Sequence, residues 1–153
     1  MVASAFHTSS EIVHHAPSAL APKLRLMLSV LHGTIGIAAI GGGAMLVAKP
    51  SGESLGLTTS MMSGFTSFLI PGALLIAFGV LQLGAALWTS RPGSAGLVAS
   101  QMGGGFLVLW IAFESALVKP IHPLQVVGLL LGALIFMIAH ELHHEEPHTP
   151  LLP

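Results

Sequence analysis

Residues His140 to His144 read HELHH, an H-E-x-x-H pattern that serves zinc hydrolases. On a helix, positions four apart share a face, so His140 and His144 would turn two imidazoles toward one Zn²⁺. Glu141 would then act as general base on the metal-bound water. A working site also needs a third protein ligand, a cleft and donors for the transition state. Nine residues follow His144, and the chain has no Asp and no Cys to complete a ligand set. Three His and three Glu fall between His140 and Glu146, a composition that generates the pattern readily. The expectation is a solvated polar helix end, with non-catalytic metal binding through His140, Glu141 and His144 second and zinc hydrolysis last.

His32 lies about two turns into the first apolar stretch, a depth where an ionisable side chain is costly and usually faces protein, a cofactor or water. If both chain ends share a side of the membrane, His140 returns toward the same leaflet. Two imidazoles from facing helices could ligate a haem, or either could be the axial ligand of a chlorophyll-type pigment. The simpler expectation is that His32 donates to a carbonyl of a neighbouring helix and binds no cofactor. Glu114, near the far end of the third stretch, could serve proton or cation movement. The simpler expectation there is an ion pair with a snorkelling Lys119, or a protonated, hydrogen-bonded acid. Gln82 and Gln101 are expected to bond between helices rather than to hold substrate. No Ser or Thr is paired with a His and an acid as a nucleophile requires. The seven Met are scattered, with Met61 and Met62 in a loop, and form no copper array.

The elements that carry these residues follow from composition. With 53% apolar and 7% charged residues in 153, and a mean hydropathy of +0.85, the chain has more apolar surface than a water-soluble domain of this size can hide. A net charge of −1 argues against nucleic acid as a partner. The absence of Cys excludes disulfides, thiolate metal sites and thiol nucleophiles. Four apolar stretches, about 24–47, 68–88, 97–118 and 124–142, each approach the ~20 residues that cross ~30 Å of hydrocarbon as a helix. The expected fold is an all-α integral membrane bundle of four transmembrane helices with antiparallel neighbours.

The segments between them read as connections: Lys49–Gly64 is rich in Gly and Ser, TSRPGSAG at Thr89–Gly96 is a tight turn, and KPIHP ends on Pro123, where a proline can open a helix. Pro71 either kinks the second span or marks its start. Residues 1–22 lack a basic end, a short apolar run and a cleavage site, and are expected to be a polar leader. Residues 143–153 form a His-, Glu- and Pro-rich tail. Lys23, Arg25 and Arg91 fall on one side and Lys49 and Lys119 on the other, which favours both termini in the cytoplasm. Glycines recur inside the spans, and Gly36, Gly42, Gly104, Gly128 and Gly132 are expected to let helix backbones approach closely.

The segment Phe68–Leu134, with its FLIPG start, Arg-Pro turn, Trp110 region and HPLQ at His122–Gln125, resembles a group of small, uncharacterised four-helix bacterial membrane proteins, loosely DoxX-like. The resemblance covers the last three spans. It implies the same topology and a bacterial inner membrane, and it brings no reaction with it. The functional expectation is a non-enzymatic membrane protein that packs against itself or, as an accessory subunit, against other integral membrane proteins in lipid. The alternatives are a haem or chlorophyll-type pigment carrier using His32, with His140 as a possible second ligand, and a small proton- or cation-coupled transporter using Glu114.

Overall fold

The computed structural model describes residues 20–58, 64–118 and 123–145. Residues 1–19, Met61, Met62, Lys119, His122 and the tail from residue 146 lie outside the described residues. Four helices dominate: α1 (Ala21–Ala48), α2 (Leu69–Thr89), α3 (Ser94–Leu117) and α4 (Pro123–Glu145), with a short 3-10 turn at Glu53–Leu55 between the first two. Each of the four is long and apolar enough to cross a membrane.

Local chemistry explains the ends. Pro22 and Pro71 sit in the first turns of α1 and α2, where a backbone N–H has no partner within the helix, so Pro71 marks a start and introduces no kink. Gly93, at φ 105°, turns the chain out of Arg-Pro and lets α3 begin at Ser94, three residues earlier than hydropathy predicts. Pro123 opens α4 as expected. No Gly or Pro falls between Leu142 and Glu145, so α4 continues through HELHH to Glu145, beyond the expected limit of the span.

Neighbouring helices run antiparallel. The Arg25 guanidinium, near the start of α1, donates to the carbonyls of Arg91 (3.1 Å) and Gly93 (3.0 Å) in the α2–α3 turn. The Ser29 hydroxyl donates to the Ala86 carbonyl at 2.8 Å. The starts of α1 and α3 and the ends of α2 and α4 therefore share one end of the bundle. Lys49, Glu53, Glu114 and Gln125 belong to the other end.

The helices approach most closely at glycines. A Cβ on Gly36 would lie 2.9 Å from the Gly79 carbonyl oxygen, and one on Gly79 would lie 2.7 Å from that of Gly36. Seven residues along, Gly43 and Gly72 form a second reciprocal pair, at 2.6 and 3.0 Å. Gly104 and Gly132 join α3 to α4 in the same way, at 2.9 and 3.0 Å, whereas Gly128 abuts only the Ile111 side chain. Gly42 is not at such a position: a Cβ there would meet only Leu75, at an ordinary 3.6 Å, because the crowded face of α1 passes through Gly43.

The interior divides into layers. Leu28, Leu97, Ile135, Ala139 and Leu142 pack where α1, α3 and α4 meet near the arginine end. Ala39, Phe78 and Leu107 fill the middle, with Phe78 stacked between Phe106 and Trp110. Large apolar side chains cover the outside of every helix, among them Ile37, Leu87, Leu109 and Leu124, each about two-thirds or more exposed. Such a surface suits lipid rather than water.

Candidate functional site

Three polar side chains of the spans meet in one buried cluster toward the arginine end. Three helices contribute: His32 comes from α1, Gln82 from α2, and Ser100 with Gly103 from α3. His32, Gln82 and Ser100 are each no more than 1% exposed. The Gln82 amide nitrogen donates to the Gly103 carbonyl at 3.0 Å, which turns its oxygen toward His32. That oxygen accepts from His32 Nδ1 at 2.5 Å, so the proton belongs on Nδ1 and Nε2 accepts from the Ser100 hydroxyl at 2.9 Å. This tautomer satisfies every member of the cluster. One turn beyond it, the buried Thr89 hydroxyl binds the carbonyls of Ala85 (2.7 Å) and Gly96 (3.2 Å).

Glycine at 103 makes room for the ring. A Cβ there would lie 2.7 Å from His32 Cε1 and 3.2 Å from Nδ1. The imidazole is thus wedged against the α3 backbone with both nitrogens engaged by protein. His32 bonds to a side chain on each of two neighbouring helices, rather than to the carbonyl expected from sequence. For it to ligate a metal, the Ser100 bond would first have to break.

His140 occupies the same half of the bundle with different partners. Its Nδ1 bonds to the Gln101 amide nitrogen at 3.0 Å, its ring stacks near Phe136, and the His144 ring stands edge-on to it at 4.4 Å. Ser100 and Gln101 are adjacent in sequence, yet Ser100 serves α1 and Gln101 serves α4. Among the described residues no hydrogen bond or ring contact joins His32 to His140. His140 and His144 do share a face, as the spacing predicts. Glu141 is exposed, whereas the neighbouring Ala139 and Leu142 are buried against α1. Among the described residues no three His, Cys, Asp or Glu side chains converge on a point where a metal could sit. His143 Nδ1 is buried with no hydrogen-bond partner among them.

Glu114 stands in the opposite half. Its carboxyl lies near the side chains of Trp110, one turn back on α3, and Gln125, buried on α4. Beside it lies a cavity of about 40 Å³ walled by Phe65, Pro71, Leu74, Trp110 and Phe113. Lys119, the expected ionic partner, lies outside the described residues.

Ser100, Ser29, Thr89, Gln125 and Trp110 were not singled out as polar partners from sequence. A signal existed for some of them. Ser29 and His32 are three apart, Gln82 and Thr89 seven apart, and Ser100 and Gly103 three apart, so each pair lies along one helix face. Compared with protein families, curated proteins and solved structures, the chain matches none of them.

Proposed function

We propose that the protein is a non-enzymatic integral membrane protein that acts as a packing or accessory subunit, either of its own oligomer or of a larger membrane complex. The reading rests above all on the closure of the His32–Gln82–Ser100 cluster. The polar groups that a reaction would need are tied to each other, and they hold three helices in register. Interhelical hydrogen bonds of this kind are worth about 0.6 kcal/mol each, rising to ~1.7. The outer surface is left apolar on all four helices, which suits association within the bilayer. The same reading takes the membrane to be the bacterial inner membrane, with both termini cytoplasmic and the arginine end facing inward, and takes the chain to be DoxX-like. Purification from native membranes in several mild detergents tests it. A stable oligomer or a constant set of membrane partners is expected; a lone monomer in every detergent overturns it.

A second reading is favoured by one observation at His140. Gln101 stands against its Nδ1; with the amide turned so that its oxygen accepts from Nδ1–H, Nε2 would be left to ligate, as in metal and haem sites. On this reading a haem or chlorophyll-type pigment is carried at His140 rather than at His32. A visible absorption band that is lost in His140→Ala and kept in His32→Ala supports it. A colourless preparation from native membranes ends it.

A further inference from the structure

We infer that His140 and His144, on the last turns of α4, hold a divalent copper ion between two imidazoles. Their ring centres lie 4.4 Å apart with the planes nearly perpendicular, at 84°. With a metal–nitrogen bond of ~2.0 Å and ~1.2 Å more to the ring centre, two imidazoles in cis positions of a square-planar ion have centres ~4.5 Å apart, against ~5.2 Å on a tetrahedral one. The observed separation therefore fits the tetragonal geometry of copper(II) rather than that of zinc. His143 takes no part, because its ring stands 6.2 Å from that of His144, beyond either distance.

Three features prepare the place for a cation. Gln101, from α3, stands 3.0 Å from His140 Nδ1; with its oxygen accepting from Nδ1–H it would fix the ring and leave Nε2 as the ligating atom. Phe136 lies nearly parallel to the same ring, at 10° and 6.2 Å between centres, and steadies it from the preceding turn. The pair also sits near the end of a helix that closes at Glu145, where the summed backbone dipole presents partial negative charge.

Access and ligand chemistry agree. His144 is exposed and His140 half-buried, so an ion reaches the pair from water while one ligand stays anchored on the bundle. Imidazole suits copper(II), which heads the stability order of the first-row divalent ions, and with no Cys in the chain no thiolate diverts the site to copper(I). Two protein ligands with water in the remaining positions suffice for such a site. It does not need the three converging His, Cys, Asp or Glu side chains that are absent among the described residues. Copper here is compatible with the packing role and excludes a haem on His140.

The test uses the full chain in mild detergent, stripped with a chelator and titrated with Cu²⁺ against a competing chelator. A copper ion held in the tightest site should give a visible d–d band and an electron paramagnetic resonance signal split by two nitrogens. Its affinity should fall about a hundredfold in His140→Ala and in His144→Ala, and roughly tenfold in Gln101→Leu, which removes only the outer partner. His143→Ala should bind as the parent does. Helical content and elution volume are checked for each variant, and His144→Ala, at an exposed position, keeps the test open if His140→Ala does not fold. Unchanged binding in folded His144→Ala overturns the inference, since copper would then sit on other histidines of the chain, and so does an equal loss in His143→Ala. A haem band present before the titration, with no copper taken up, also overturns it.

Discussion

The two halves of the bundle hold their helices together by different physics. Toward the arginine end, α1, α2 and α3 are joined by directional bonds through His32, Gln82, Ser100 and Gly103. Toward the other end, α1 meets α2 backbone to backbone at Gly43 and Gly72, and α2 meets α3 through the stacked rings of Phe78 and Trp110. Lipid tails are as apolar as leucine, so burial of apolar area alone does not drive helices together there. The polar half specifies which faces meet, because an unpaired donor in that medium is costly. The Gly43–Gly72 seam supplies fit, because dispersion contacts lose about a quarter to a half of their strength once surfaces separate by roughly 0.5–1 Å.

The comparison can be broken most severely at the glycine pairs. Gly43→Leu would drive a side chain into the Gly72 carbonyl and the Ile76 backbone, where nothing can yield. A loss of about 3 kcal/mol or more is expected on unfolding in mixed micelles. A variant as stable as the parent would show that the α1–α2 seam is not formed as described. His32→Ala should cost less, about 2 kcal/mol, since it leaves the Gln82 oxygen and the Ser100 hydroxyl buried without their partner. In a double-mutant cycle with Gln82→Leu, the two changes should couple by about 1 kcal/mol, and simple additivity would argue against the bond.

Smaller effects sharpen the contrast. Phe78→Leu keeps most of the volume but removes the stack with Phe106 and Trp110, and about 1 kcal/mol should be lost. The indole emission of Trp110 should shift as its neighbour changes. At Gly33 a Cβ would meet nothing within 4 Å, so Gly33→Ala should leave stability unchanged or raise it by up to ~1 kcal/mol through helix propensity. A clear destabilisation at Gly33 would mean that this face of α1 is covered in the native assembly.

Much of the architecture was legible before any coordinates. The spans at 24–47, 68–88, 97–118 and 124–142 each match a helix to within about three residues at either end. The prolines at 71 and 123 and the Arg-Pro-Gly turn mark real starts. Less of the site could be read. His32 and Gln82 stood out because such side chains are rare in hydrocarbon, but Ser100 did not, since a hydroxyl can hide against its own helix. Gly43 was passed over for Gly42 because the two are neighbours in a run of three, and only helix rotation separates the crowded face from the open one. HELHH had the right spacing on one helix, yet spacing along one chain segment says nothing of a third ligand from elsewhere.

What the chain determines alone is the sum of local terms: hydropathy over twenty residues makes each rod, and proline, glycine and charge end it. What only the tertiary structure decides is the rotation and sliding of each rod against its neighbours. A turn of 100° per residue exchanges His32 for Gly33, or Ser100 for Gln101, at a given contact. That choice is made by close packing and hydrogen-bond pairing across helices, which no single stretch of sequence contains.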